Sequence, residues 1–367
     1  MVSVSFTGDI SFSKHFTGAY ERDFIHEDVV KFLSSSDHVV ANVECAVTSG
    51  DINSDRTLNH ATPPEAAVVL DKIGADVWTL ANNHIMDCKE KGLVDTLETA
   101  KAHGARTIGV GRNFEEASKP VYFEGAGGIG VFSVTYDRPF LVCDDHKPGC
   151  VLLSETERIK AIIKEIKRKC RWCIMVCHGG GEFAQLPLPY IRKRYKQFLS
   201  YGADIVVGHH PHVVENYEFF GKKAIFYSLG NFIFDTNFQR NQRYTDCGML
   251  LKLFFEEDKW TWENLPVKIN RESQTIEPCE NPVIFREVTA GQYALLWPLA
   301  VADFVRNDRS AKLFNHPEWE SNPPKWWFNK FKGRHGRGAA INFRFGCFAA
   351  KLGLWKLGNK EIAEYIK

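Results

Sequence analysis

Short runs of β-branched and aromatic residues recur along the first two thirds of the chain: VSVSF (2–6), HVVANVE (38–44), DVWTLA (76–81), IGVFSV (129–134), WCIMVC (172–177) and DIVVG (204–208). Each is short and bounded by turn residues, a pattern that predicts strands. Helical periodicity lies between several of them. In SETERIKAIIKEIKRKC, Ile159, Ile162, Ile163 and Ile166 follow i, i+3, i+4, i+7 spacing, and Ser154 with Glu157 has the form of a capping box. The stretch PPEAAVVLDKIGAD (63–76) opens on prolines and carries Gly74 near its end, as a second helix would. Strands alternating with helices predict an α/β architecture.

Polar clusters fall where the predicted strands stop. VSVSF runs into TGDIS, HVVANVE ends on Glu44, DVWTL runs into ANNHIMD, WCIMVC into HGGGE, and DIVVG into HHPHV. In open α/β sheets, ligands bind beyond the carboxyl ends of the strands, where loops converge. Five segments far apart in sequence are therefore expected to build one site. Their residue types suit metal ions: carboxylate oxygens, neutral imidazoles and an Asn carbonyl form a mixed set fit for Mn, Fe or Zn. One carboxylate can bridge two cations, and two cations about 3.5–4 Å apart can clamp an oxyanion and activate water near neutral pH. In HHPH, His210 and His212 can face two neighbouring ions while Pro211 stiffens the turn between them. His209 then points elsewhere.

The series TGDISFS, ANVECAV, LANNHIMD, CHGGGEF, VVGHHPHVVE and FYSLGNFIFD resembles, in this order and spacing, the CapA or PgsA family of poly-γ-glutamate capsule synthesis proteins. That family is a branch of the calcineurin-like metallophosphoesterase superfamily. The resemblance covers about residues 2–250. It implies a four-layer αββα sandwich, two mixed β-sheets face to face with helices outside, and a site at the sheet ends. It implies two divalent metal ions (Mn, Fe or Zn), with Asp9 and His212 on one, Asn83, His178 and His210 on the other, and Glu44 as the bridge. His84 resembles the catalytic imidazole that polarises the scissile group or protonates the leaving oxygen, with Asp87 to orient it. Two departures stand out: Ser11 occupies the second position of the superfamily's usual Asp-x-His pair, and glutamate replaces aspartate at the bridge.

Further candidates for substrate contact are Glu182 in HGGGEF, Ser228 and Asn231 in YSLGNF, and His209. Arg56 and His60, in DRTLNHATPPE, are candidates for an anionic substrate. The run YIRKRYKQ (190–197) is expected to be an exposed helix face. His15, His26, His38, His103 and His146 have no supporting pattern and receive no role.

With 367 residues, 44% of them hydrophobic, the chain can bury a large core. Formal net charge is +1, from 46 basic and 45 acidic residues, so no overall field marks a nucleic-acid binder. The ten cysteines are scattered and are read as reduced core thiols. The N-terminus begins at once with strand alternation, without a signal-peptide pattern, and no apolar run reaches the roughly 18 residues of a membrane span. A cytoplasmic location is expected. The organisation expected is a CapA-type domain over 1–255, a β-rich completion or appendage over 256–320, and a basic, aromatic-rich segment over 321–367. That last segment holds ten Lys or Arg against two Glu, with Trp326, Trp327, Phe328, Phe331 and Trp355 interleaved. It suits peripheral contact with an anionic membrane or polymer, or packing on the main domain.

Two functions follow from the same pocket. One is a metal-dependent hydrolase acting on a phosphoester or an anionic-polymer linkage, tied to capsule or poly-γ-glutamate synthesis. The other is a non-hydrolytic assembly factor that binds a polycarboxylate or lipid phosphate at the membrane surface.

Overall fold

The computed structural model describes residues 1–50, 59–280 and 285–294. Arg56 and the basic C-terminal segment therefore lie outside the described residues.

Fourteen strands build two mixed sheets. In chain order they are β1 (Val2–Ile10), β2 (His38–Val43), β3 (Val77–Thr79), β4 (Arg106–Ile108), β5 (Val121–Phe123), β6 (Ile129–Thr135) and β7 (Trp172–His178). They continue with β8 (Ile205–His209), β9 (Tyr217–Phe220), β10 (Lys223–Phe226), β11 (Asn231–Ile233), β12 (Cys247–Phe255), β13 (Trp260–Asn270) and β14 (Thr275–Pro278). The first sheet has the order β14-β13-β12-β1-β2-β3-β4, with β11 also pairing with β1; the second has the order β9-β10-β8-β7-β6-β5.

Side-chain alternation explains why the sheets stack. Along β7, Trp172, Ile174 and Val176 join Val4 and Phe6 of β1 and Val40 of β2 in a core between the two sheets. The opposite face of β7, Cys173, Met175 and Cys177, packs on Ile159, Ile162, Ile163 and Ile166 of α4 (Thr156–Lys169) and on Phe198 of α5 (Pro189–Tyr201). On the far side of the first sheet, Val39, Ala41 and Val43 meet α1 (Glu27–Ser34), α2 (Ala67–Lys72) and α3 (Lys89–Ala102) through Val29, Leu70 and Leu93. The order is helix, sheet, sheet, helix: the four-layer sandwich that the motif series implied.

Some local expectations change. β1 does not stop at Phe6; it pairs on through Asp9 and Ile10 with β2 and β11, past an irregularity after Phe6. Gly8 and Asp9 thus sit in a strand, where the Gly230 carbonyl leaves Gly8 no room for a Cβ. The capping box at Ser154 does not form: the helix begins after Glu155, and the Glu155 carboxylate instead accepts from the Leu152 amide at 2.7 Å. In the 63–76 stretch a short 3-10 turn (Pro64–Ala66) precedes α2. β12 and β13 pair along their whole length, so strands on both sides of position 255 belong to the first sheet. The described cysteines are free thiols, including Cys170 and Cys173, which stand at CxxC spacing in CRWC. No helix among the described residues is long and apolar enough to cross a membrane.

Candidate metal centre

Alternation also aims the site. Glu44 follows Val40 and Asn42 on the inter-sheet face of β2, and His178 follows Trp172, Ile174 and Val176 on the inter-sheet face of β7. Both faces run out of apolar residues at the same end of the sandwich, so two buried polar side chains from different sheets meet there. His178 Nε2 lies 3.2 Å from Glu44 Oε1, and neither residue is more than 1% exposed.

Two groups with metal-ligand geometry share Glu44: Glu44 with His178 and His210, and Asp9 with Glu44 and His212. Within each, one donor atom per residue lies within 4.8 Å of the others. Asn83 joins the first group, its Oδ1 lying 2.8 Å from His178 Nε2. The six residues expected to hold metal are thus brought together, with Glu44 between the two sets.

The donors fit cations. Both Glu44 oxygens, His178 Nδ1 and His210 Nδ1 are buried without a hydrogen-bond partner among the described residues. Burying such atoms unpaired costs about 1–3 kcal/mol each, more for a charge. Burial, then the neighbouring Asp9 and Glu182 charges, push the Glu44 carboxyl well above its ordinary range. Two cations at this point would offset that cost. Burial, reinforced by neighbouring imidazoles, holds His178 and His210 well below the ordinary histidine value, in the neutral form that ligates metal. Asp9 behaves oppositely: burial raises it, but hydrogen bonding to His209 and His212 outweighs burial and keeps it ionised.

The HHPH turn is strained. His210 and His212 have φ of 96° and 58°, left-handed values that are costly outside glycine. The strain turns both imidazoles into the site around Pro211. His209, placed among the substrate contacts by sequence, is 1% exposed, and its Nδ1 lies 3.2 Å from Asp9 Oδ1. It meets a candidate ligand, not the surface. Asn231 is likewise internal: its Oδ1 lies 3.0 Å from His212 Nδ1, and its Nδ2 donates to Gln239 Oε1 and the Thr245 carbonyl. Ser228 Oγ accepts from the Gly230 amide at 3.1 Å. Glu182 is exposed, close enough for its charge to act on Glu44 and His212.

His84 and Asp87 stand beside the candidate ligands. His84 Nδ1 is 2.7 Å from Asp87 Oδ2, and the same oxygen accepts from the His60 amide at 2.8 Å. The His60 and His84 rings meet edge to face with centroids 4.4 Å apart. His60 Nδ1 lies 2.6 Å from Ser13 Oγ and 3.4 Å from Ser11 Oγ. This imidazole from a separate loop reaches the hydroxyl of Ser11. Burial, with the nearby His84 and His212, keeps it neutral.

Sequence reasoning missed several supports. Asn42 donates to Asp9 Oδ1 at 2.7 Å, and Asn82 spans Val43 and His84, accepting from the His84 amide at 2.9 Å. The ANVE and LANNH motifs held both signals. Tyr136, whose ring centroid is 4.6 Å from that of His210, was also missed.

The sequence matches the family described as bacterial capsule synthesis protein PGA_cap over residues 3–236. The chain belongs to this family. Among its relatives, it is 29% identical over 254 residues to "Capsule biosynthesis protein CapA" of Bacillus anthracis, covering 66% of this chain and 62% of that one. It is 30% identical over 250 residues to "PGA biosynthesis protein CapA" of Bacillus subtilis (strain 168), covering 66% of each. A "Probable polyglutamine synthesis accessory protein" of Mycobacterium tuberculosis is 23% identical over 220 residues, 55% of this chain and 57% of that one. The match spans a little under two thirds of the length of the first two relatives. Asp9, Glu44, Asn83, His84, Asp87, His178, His210 and His212 all fall within the PGA_cap match.

Proposed function

We propose that this capsule synthesis family member is a metal-dependent hydrolase, acting on a phosphoester or on a linkage of an anionic polymer during capsule or poly-γ-glutamate synthesis. The observation that carries the reading is Glu44: fully buried, without a hydrogen bond at either oxygen among the described residues, and common to two ligand groups. Asp9 and His212 would hold one divalent cation, Asn83, His178 and His210 the other, with Glu44 between.

Bound cations of the Mn, Fe or Zn type would polarise an oxyanion and lower the pKa of water. The chain's own residues supply the rest. Asp87 fixes the ring of His84 through Nδ1, leaving Nε2 as the nitrogen that exchanges a proton with the leaving oxygen. His209 and Asn42 fix the two sides of Asp9 Oδ1, and Asn231 fixes His212. These hydrogen bonds hold the donor set in place before any ligand arrives.

The test is a panel of phosphomonoesters, phosphodiesters and γ-glutamyl chains offered to metal-loaded protein, with H84A as control. Turnover that disappears in H84A supports a hydrolase. Metal uptake without turnover of any panel member favours a non-hydrolytic polyanion-binding assembly factor.

A further inference from the structure

At the mouth of the metal centre, the loop after β6 carries a cation for which the reading so far has no use. The Tyr136 amide donates to the His178 carbonyl at 2.9 Å, which pins this loop to the end of β7. Tyr136 lays its ring against His210. The Arg138 guanidinium carbon sits 4.6 Å from the centre of that ring on the Tyr136 side chain, and Nη2 donates to the Tyr136 hydroxyl at 3.2 Å. Arg138 is half-buried and has no carboxylate within ion-pair distance among the described residues. The adjacent Asp137 instead accepts from the Ser154 amide at 3.3 Å.

An arginine held over a tyrosine ring is oriented at little further entropic cost, and among the described residues only one of its five N–H donors is used. The Tyr136 hydroxyl oxygen accepts from Arg138, and its own O–H can donate. Guanidinium and phenol thus place hydrogen-bond donors beside His210.

We propose that Arg138, held by Tyr136, is the anion-recognition residue of this site, gripping the non-reacting oxygens of a substrate phosphoryl or carboxylate group next to His210. The assignment rests on the metal-centre reading. It adds a specificity-determining residue outside the motif series.

The test uses the full chain loaded with Mn2+, with metal content measured separately, and follows binding of inorganic phosphate and of glutarate by calorimetry. R138Q should weaken binding of the preferred anion at least about tenfold, the scale of one lost charge-assisted hydrogen bond. Metal content and melting temperature should stay unchanged. R138K should recover part of the loss, because an ammonium keeps the charge without the planar fork. A phosphate preference points to a phosphoryl substrate, and a glutarate preference to a polycarboxylate. Wild-type affinity for both anions in R138Q overturns the proposal, as does a metal-loaded wild type that binds neither. Failure to take up metal would count against the metal-centre reading and is read out independently.

Discussion

Asp87 Oδ2 accepts at once from His84 Nδ1, at 2.7 Å, and from the His60 amide, at 2.8 Å. One buried carboxylate therefore sets a candidate proton donor and the loop that packs against it. H84A is expected to lower kcat by about 10²–10⁴ on any substrate the protein turns over, the usual scale for a positioned acid or base. Its metal content should be unchanged. D87N should lower kcat less and also lower the melting temperature, because Asp87 is buried and holds two segments.

Glu44 leads to an inversion. With metal chelated, a buried carboxyl without partners is a burden, so E44Q should melt at or above wild type. With Mn2+ supplied, wild type should gain stability by mass action while E44Q gains far less. Thermal melts with chelator and with metal check both halves.

Glu215 gives a pH dependence away from the ligands. It is fully buried, its Oε1 has no partner among the described residues, and burial pushes its carboxyl well above the ordinary 4.5. Such an acid keeps its proton when folded and loses it when unfolded. Between the unfolded value and the raised folded value the native state binds more protons, so stability falls as pH rises above about 4.5. E215Q removes this contribution. Relative to wild type, E215Q should gain stability progressively as pH rises above about 4.5, read as the difference in denaturation midpoints.

Gly208 precedes the HHPH turn on β8. A Cβ there would collide with the Tyr227 carbonyl of the neighbouring segment, which is backbone and cannot swing away. G208A should cost about 3 kcal/mol or more and disturb metal uptake, as overpacking against a sheet does. Chemical denaturation together with metal analysis checks this.

Much of the site was legible because strand alternation and strand ends are written in sequence. WCIMVCH both buries Ile174 and Val176 between the sheets and delivers His178 to their edge. The roles within HHPH were harder to read. His209 continues the inter-sheet face of Ile205 and Val207 and so falls on Asp9, while His210 and His212 are turned by backbone strain that no residue type announces. Arg138 carried no signal in TYDRPF, since its place depends on β6 lying beside β7. Ser154 resembled a cap, but Glu155 bonds to the Leu152 amide and the helix starts one residue later than that cap would set it. Ser11 signalled a missing imidazole; that His60 reaches it from 49 residues away is a fact of tertiary structure.

The account rests on Glu44 lying between two cations, and anomalous diffraction from crystals grown with Mn2+ or Zn2+ tests that most directly. It predicts two anomalous peaks about 3.5–4 Å apart, flanking the Glu44 carboxylate, one against Asp9 and His212 and the other against His178 and His210. No peak within bonding distance of Glu44, or metal bound only elsewhere on the chain, would contradict it.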